Sequence, residues 1–341
     1  MIAPLRLRLD SAALVANWRA LDRLSGGAAC GAAVKADGYG LGAREVARRL
    51  AEAGCRDFFV ATWAEAAELA DLGIAVSVLH GVRAEDMRRR PPGARPVLNT
   101  PAQVRRWREA GSGACDVMVD TGMNRLGVST EDVAGGLLDG LAIETLMSHL
   151  ACADEDTPMN PRQRDAFAAL AGRTSAKRLS LANSAGIALG TDYGFDLTRP
   201  GLSLYGGSQR RELDGVIAQV VTPEVQILQR RRVPAGETIG YNATFTAPHG
   251  MEVAILNIGY ADGYLRCFSD RGAALAGGHA LPVLGSVSMD LVAIQVDAAP
   301  DLAEGDWVAL AYDLSSTAAL SGLSQYELLT GLGRRFDRVW D

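Results

Sequence analysis

Short apolar runs alternate with stretches of helical spacing from residue 28 to about residue 206. Short strands separated by helices of this length pair in parallel through right-handed crossovers. Eight such units are the number that closes a (β/α)8 barrel, so we predict an N-terminal barrel of the TIM type. The predicted strands are residues 31–35, 58–62, 75–79, 96–98, 116–120, 143–149, 178–182 and 195–199, and the predicted helices include 43–53, 63–72, 101–110 and 161–171.

The pattern changes after residue 215. Runs rich in β-branched residues follow one another, separated by turns such as Pro234-Ala235-Gly236, and few helical patterns remain. This arrangement is typical of an antiparallel β domain. We therefore predict a barrel over residues 1–215 and a mainly antiparallel β domain over residues 216–341. The predicted strands of the second domain are residues 220–233, 253–258, 283–287, 291–296 and 307–311.

Composition excludes several classes of function. The net charge of -6 argues against non-specific binding to nucleic acid. No apolar stretch reaches the length of a membrane span, and the first residues lack the apolar region of a signal peptide, so we expect a cytoplasmic protein. The five cysteines are odd in number and form no CxxC pair, which argues against a disulfide framework or a metal site.

Polar residues follow most of the predicted barrel strands, where barrel active sites gather. Lys35 ends the first strand, and an amine in a poorly hydrated place can become neutral and attack a carbonyl to form a Schiff base. Each residue alone has a structural explanation: a lysine head that reaches water, a core histidine at His149, or a helix cap at Asn183. Their convergence on one face favours a functional site.

Eight ordered motifs span nearly the whole chain. The motifs are residues 34–40 (VKADGYG), 120–127 (DTGMNRLG), 148–154 (SHLACAD), 182–184 (ANS), 199–201 (RPG), 259–263 (GYADG) and 287–290 (VSMD), with Tyr326-Glu327. Together they resemble the motifs of the bacterial alanine racemases, which are pyridoxal-phosphate-dependent enzymes of the barrel fold. One motif alone is weak evidence for a family, but the ordered set is specific.

The resemblance implies an isomerase that interconverts L-alanine and D-alanine. Lys35 would hold pyridoxal 5'-phosphate through a Schiff base and then act as one of two catalytic bases. Tyr260 would be the second base, on the opposite face of the α-carbon, because racemisation removes a proton on one face and returns it on the other. The family forms head-to-tail homodimers, so Tyr260 and the substrate-contacting Met289 would reach into the partner's barrel.

The resemblance also assigns the cofactor contacts. Arg199 would face the pyridine nitrogen, and Arg125 would contact the phenolic oxygen of the cofactor and the substrate carboxylate. His149 would lie near the ring and bond toward Arg199. The residues expected at the phosphate are Tyr39, Ser184, Gly201, Leu202 and Tyr326, with Asn183 in support.

Two positions depart from the family pattern. Many members carry a carbamylated lysine where this chain has Met118, which can neither be carbamylated nor accept a strong hydrogen bond. Arg125 must then be oriented in another way. Leu41 stands where a histidine is common, and we expect a small effect. Neither change touches the two predicted bases.

Three alternatives stay open at this stage. A non-catalytic pyridoxal-phosphate homeostasis protein keeps the barrel and the lysine but has no C-terminal β domain. A barrel decarboxylase generally places an acidic residue at the ring nitrogen, whereas this chain has Arg199. A racemase of broad or serine-preferring specificity is the nearest rival, because Met118 changes the carboxylate end of the pocket. The sequence also leaves open a biosynthetic role, supplying D-alanine as a peptidoglycan precursor, or a catabolic one.

Overall fold

The computed structural model describes residues 3–88, 90–111 and 113–341. The chain divides into two compact units. One comprises Ala12–Ala218, and the other joins Met1–Ser11 to Gln219–Asp341. The structure therefore differs from the predicted boundary at the N-terminus, because the strand β1 (Leu5–Leu9) belongs to the second unit.

The first unit alternates strands and helices. Strands β3 to β9 form one parallel sheet in chain order, and β2 and β10 form a further parallel pair. The strands are β2 (Ala29–Cys30), β3 (Ala32–Ala33), β4 (Asp57–Val60), β5 (Ala75–Val78), β6 (Ala94–Leu98), β7 (Cys115–Met118), β8 (Ile143–Met147), β9 (Arg178–Ser180) and β10 (Leu197–Thr198). The helices are α1 (Ser11–Leu24), α2 (Ala43–Ala53), α3 (Trp63–Glu68), α4 (Pro101–Glu109), α5 (Thr130–Ala134), α6 (Met159–Ala168) and α7 (Ser184–Ala188).

Backbone hydrogen bonds close this sheet into a barrel. The segment around β10 is hydrogen-bonded to a neighbouring segment on each side. On one side Arg199 N donates to Ala182 O at 2.8 Å, and on the other Gly31 N donates to Thr198 O at 2.9 Å. Apolar side chains of the strands are buried, among them Phe59, Val97 and Leu146. The predicted (β/α)8 barrel is confirmed, and its carboxyl-terminal rim brings the segments after the strands together.

The strand boundaries differ from the predicted ones by a few residues. The first predicted strand, 31–35, ends at Ala33, and Lys35 begins a left-handed turn instead. Gly31 separates β2 from β3, and a Cβ there would lie 2.8 Å from Asp57 O. The apolar runs continue past the strands into the rim, which is why the predicted strands are too long.

The second unit is built on the long strand β11 (Val221–Val233). It pairs with β1, β14 and β18. The pairings with β14 and β18 close a ring of six antiparallel strands, in the order β11, β14, β17, β16, β15 and β18. The remaining elements are β12 (Thr238–Ile239), β13 (Phe245–Thr246), β14 (Met251–Leu256), β15 (Ala273–Ala276), β16 (His279–Leu284), β17 (Val292–Gln295), β18 (Trp307–Leu310), α8 (Leu314–Ser321), α9 (Gln325–Thr330) and β19 (Asp337–Trp340). The predicted antiparallel β fold is confirmed.

The N-terminal strand explains why this unit combines both chain ends. Leu5, Leu7 and Leu9 are buried, and the arginines between them point outward. Strand β1 pairs antiparallel with β11 and parallel with β19. No strand is predicted here from the sequence, although apolar alternation is typical of one; the partner strand β11 lies more than 200 residues away. Among the described residues, no helix is long and apolar enough to cross a membrane.

Candidate active site

Lys35 lies at the start of an unusual left-handed turn on the barrel rim. Ala36, Asp37 and Tyr39 have φ values of 52°, 53° and 55°, so three non-glycine residues adopt the left-handed region. Each costs roughly 1–2 kcal/mol relative to the right-handed conformation, so other contacts must hold the turn. Asp37 provides two of them, since its Oδ1 accepts from Ala43 N at 2.9 Å and its carbonyl accepts from Gly42 N at 2.8 Å.

Glu65 fixes the residue next to Lys35. Its Oε1 accepts from Ala36 N at 2.7 Å, and its Oε2 accepts from Ala61 N and Thr62 N at 2.7 and 2.9 Å. Thr62 caps α3 in return by accepting from Glu65 N. One carboxylate therefore joins the end of β4 to the strained turn that carries Lys35.

The environment of Lys35 favours a neutral amine. Burial lowers its pKa, and the positive charge of Arg125 lowers it further. Glu65 opposes this shift, and Arg199 adds to it. A lowered pKa makes the amine available as a nucleophile and as a proton acceptor. The structure thus brings Lys35 within electrostatic range of the two predicted arginines.

His149 shares the same positive surroundings. Burial lowers the pKa of its imidazole to about 3. The charges of Arg199, Arg125 and Lys35 act in the same direction. The imidazole is therefore neutral at neutral pH, with one ring nitrogen able to donate and the other able to accept.

Arg199 is buried and held by oxygen atoms of the rim. Its Nη1 donates to Ser180 Oγ at 2.5 Å, and its Nη2 donates to Ser148 O at 2.6 Å and Leu181 O at 3.3 Å. The expected bond between Arg199 and His149 is not found in the described part of the chain, where the guanidinium donates to these three oxygens. Burial lowers the pKa of Arg199 to about 10, so the guanidinium remains charged at neutral pH.

A cluster of donors occupies the rim after β9 and β10. Ser184 Oγ accepts from Gly201 N at 3.0 Å and from Ser203 N at 3.2 Å. A Cβ on Gly201 would overlap the hydroxyl of Tyr39, so glycine is required for that phenol to lie here. Backbone N–H groups and hydroxyls gathered in this way are the donors that a phosphate needs.

Ser203, Tyr39 and Asn183 also belong to this cluster. The buried Ser203 Oγ has no hydrogen-bond partner among the described residues, as expected where a ligand oxygen would bind. Tyr39 stacks on the fully buried Tyr205, with ring centroids 4.7 Å apart. Asn183 caps α7 by accepting from Gly186 N at 2.8 Å, so its observed role is to hold the segment that carries Ser184.

Asp120 shapes the loop that carries Arg125. Its two carboxylate oxygens accept from Gly122 N at 2.7 Å and Arg125 N at 3.1 Å. Val119 and Val128 form a bridge that closes the loop at its base. Met118 lies buried in β7 just before it, with no polar group to offer the Arg125 guanidinium. The Asp120 carboxylate therefore orients this loop by binding the backbone N–H groups of the loop.

The other predicted residues, Tyr260, Met289 and Tyr326, lie in the second unit. Tyr260 N donates to Ser288 O at 3.0 Å, and Ala261 N donates to Met289 O at 3.1 Å. A Cβ on Gly259 would overlap the Met289 backbone, which explains the first glycine of this motif. Two motifs that lie about 30 residues apart in sequence thus form one surface segment. Tyr326 lies in α9 and is partly buried.

Sequence reasoning missed several residues that organise the site. Glu65 and Asp120 act through backbone N–H groups, and Asp120 belongs to a motif in which no role is assigned to it. Ser203 follows the 199–201 motif by two residues. One signal was available, since Thr62 and Glu65 have the spacing of a capping box. No group of three or more His, Cys, Asp or Glu side chains suited to a metal is found within residues 3–88, 90–111 and 113–341.

The fold and the site define a class: a barrel enzyme with a lysine amine at the rim, followed by an antiparallel β domain. The N-terminal domain of alanine racemase matches residues 9–209, and the C-terminal domain of alanine racemase matches residues 220–340. The chain belongs to the alanine racemase family. These matches confirm the predicted family and fold class.

Similar proteins cover the chain from end to end. It is 42% identical over 349 residues to the alanine racemase of Acidiphilium cryptum, covering 98% of both chains. It is 38% identical over 367 residues to the biosynthetic alanine racemase of Agrobacterium fabrum, covering 99% of this chain and 94% of the other.

Among solved structures, the alanine racemase of Bartonella henselae with covalently bound pyridoxal phosphate is similar, with a TM-score of 0.90 and 32% identity over 99% of both chains. The biosynthetic alanine racemase of Pseudomonas aeruginosa has a TM-score of 0.88 and 29% identity over 100% of both chains.

Proposed function

We propose that the protein interconverts L-alanine and D-alanine with pyridoxal 5'-phosphate as cofactor, using Lys35 and Tyr260 as its two bases. The observation that carries this proposal is the lysine amine of lowered pKa on the barrel rim, among Arg125, Arg199 and His149. Membership of the alanine racemase family supports the same activity. The Bartonella henselae relative, with its covalently bound pyridoxal phosphate, supports the cofactor.

The residues present fit this cofactor. Lys35 supplies the amine for the covalent link, and the donors around Ser184 and Gly201 suit the phosphate. When bound, pyridoxal phosphate draws electrons from the α-carbon and so acidifies its proton. Arg199 can only donate hydrogen bonds, so at the ring nitrogen it would keep that nitrogen unprotonated. Leu202 and Tyr326 are assigned to the phosphate by resemblance alone.

Each base has one task. The Lys35 amine would take or return the α-proton on one face of the substrate. The Tyr260 phenol does the same on the other face, so a proton removed by one group is replaced from the other. Arg125, exposed and charged on its loop, would bind the substrate carboxylate.

We further propose that the protein is a homodimer in which the β domain supplies Tyr260 to the partner's barrel. Exposed apolar side chains near Tyr260 support this. Tyr241 is 72% exposed and Met289 is 53% exposed, and apolar groups of this size favour a protein partner. The segment of Tyr241 is tied to that of Met289 by a hydrogen bond between Thr244 and Ser286 at 3.3 Å.

The test is proton exchange in deuterated water. Holoenzyme is incubated with pure L-alanine, and α-deuterium and the D-enantiomer are measured by NMR and chiral chromatography. Both are expected, and both are expected to disappear in Lys35→Ala. An absence of the mirror-image product would contradict the proposal. L-Serine is tested in parallel, because a racemase of broad or serine-preferring specificity is the second candidate. The apolar Met118, at the position where many family members have a lysine, is the observation that favours it.

A biosynthetic role is supported by relatives with that description in Agrobacterium fabrum and Pseudomonas aeruginosa. We propose that the protein supplies D-alanine as a peptidoglycan precursor. We also propose the cytoplasm as its location. The five cysteines are unpaired thiols, three of them buried, as is usual in a reducing compartment.

A further inference from the structure

Asp262, two residues after Tyr260, is fully buried although it is acidic. A buried carboxylate needs partners that satisfy both oxygens. Arg335 provides them in fork geometry: its Nε donates to Oδ1 at 2.6 Å and its Nη2 donates to Oδ2 at 2.7 Å. Oδ2 also accepts from Gly259 N at 3.1 Å, so Asp262 closes the turn that contains Tyr260.

The same guanidinium reaches a second segment. Arg335 Nη1 donates to Asp290 Oδ1 at 2.7 Å, and Asp290 directly follows Met289. The arginine is itself fixed at its base, because Gly333 N donates to Asp262 O at 3.1 Å. Three segments that lie far apart in sequence therefore meet at one side chain, which is about half exposed.

We infer that Arg335 is a positioning residue that fixes the Tyr260 turn against the Met289 segment and so sets the place of the second base. This inference rests on the proposed role of Tyr260. Arg335 acts only through Asp262 and Asp290 and contacts no reacting atom.

The chemistry of the guanidinium explains why arginine suits this position. A planar fork binds one carboxylate with two nitrogens and leaves the third for another carboxylate. Lysine carries the same charge but presents a single nitrogen, so it cannot bridge both carboxylates in this geometry. A base displaced by about 1 Å loses up to about a hundredfold in rate, so a small relaxation of the turn is measurable.

The experiment measures α-proton exchange with deuterated water for L-alanine and D-alanine separately, using holoenzyme. Tyr260→Phe first identifies the enantiomer whose proton Tyr260 removes. Arg335→Lys is expected to slow exchange of that same enantiomer by roughly ten- to a hundredfold. Exchange of the other enantiomer, which depends on Lys35, should change less than about twofold. Asp290→Asn removes only the negative charge of the outer contact, since the amide oxygen can still accept from Arg335, and it should cause a smaller loss in the same enantiomer.

Arg334→Lys is the matched control, since Arg334 is an exposed neighbour of the same type. It should leave both exchange rates unchanged. Equal slowing of both enantiomers in Arg335→Lys would overturn the inference, because it would indicate general loss of structure. Unchanged rates in Arg335→Lys would also overturn it. If Tyr260→Phe slowed neither enantiomer, the proposed role of Tyr260 would fail instead. Should Arg335→Lys fold poorly, the same comparison is made with Asp290→Asn.

Discussion

At the residue scale, the barrel rim concentrates positive charge around two bases, Lys35 and His149. Burial and neighbouring cations lower the pKa values of Lys35 and His149 together. A site that holds two arginines beside an amine and an imidazole is prepared for an anionic ligand, which would neutralise this charge. The proposed cofactor phosphate and substrate carboxylate are both anions.

The pKa of His149 predicts a pH-dependent contribution to stability. An imidazole with a folded-state pKa of about 3 stays neutral in the folded protein, whereas the unfolded chain takes up a proton below about pH 6.5. Stability from this group is therefore complete above pH 6.5 and is lost progressively as the pH falls toward 3. Between pH 7 and pH 5, the unfolding free energy of the wild type should fall by about 1–2 kcal/mol more than that of His149→Gln.

Urea unfolding of both proteins at the two pH values measures this difference. His249→Gln is the control, because His249 lies in a surface turn of the other unit. An equal pH dependence in wild type and His149→Gln would show that the imidazole is charged in the folded protein or titrates normally.

Gly201 predicts an effect on cofactor affinity. A Cβ there would overlap the Tyr39 hydroxyl, so Gly201→Ala must displace the phenol or the Gly201 backbone from Ser184. Loss of one hydrogen bond to a charged phosphate corresponds to about 1.5–3 kcal/mol, or roughly a ten- to hundredfold weaker affinity. Fluorescence titration of apoprotein with pyridoxal phosphate measures it. Gly27→Ala, where a Cβ has open space, should bind as wild type does. Unchanged affinity in Gly201→Ala would remove this cluster from the phosphate site.

At the element scale, the apolar pattern of the sequence does not predict the left-handed turn that begins at Lys35. The run of residues 31–34 reads as a strand, and the structure ends that strand at Ala33. The turn is held because Glu65 accepts from Ala36 N within it, because Asp37 accepts from Ala43 N at the start of the next helix, and because glycines follow it. Such side-chain contacts depend on a helix that begins near residue 63, so local spacing does not predict them.

Glu65 makes this dependence testable. Glu65→Gln replaces one acceptor oxygen by a donor, so the bond to Ala36 or those to Ala61 and Thr62 must be lost. We expect a decrease in unfolding free energy of about 1–3 kcal/mol, measured by urea unfolding. Glu68→Gln, exposed on the same helix α3, is the control and should change stability by less than about 0.5 kcal/mol. A Glu65→Gln protein as stable as the control would show that the turn holds without this carboxylate.

At the scale of the whole molecule, the proposed dimer predicts complementation. Lys35→Ala and Tyr260→Phe each remove one base, and each homodimer should be inactive as a racemase. If every site takes Lys35 from one subunit and Tyr260 from its partner, a mixed dimer contains one site with both bases and one with neither. Random pairing of equal amounts should restore about a quarter of wild-type activity.

The mixture is unfolded and refolded together, and racemisation is measured against each variant refolded alone. Native mass spectrometry of the refolded mixture, with one variant isotope-labelled, measures the fraction of mixed dimers. Recovery no greater than the sum of the separate variants, in a mixture shown to contain mixed dimers, would place both bases of each site in one subunit.

The sequence by itself determined the two fold classes, the order of the motifs and most residues now proposed for the site. Strand and helix periodicity is local and therefore indicates the fold classes, whereas the site residues follow from the resemblance of the ordered motifs to those of the alanine racemases. Only the tertiary structure decided that strand β1 joins the second unit, that Lys35 begins a left-handed turn, and that Arg335 links Asp262 to Asp290. These features are pairings between residues about 30 to more than 200 positions apart, and their partners are chosen by packing and hydrogen bonding in three dimensions.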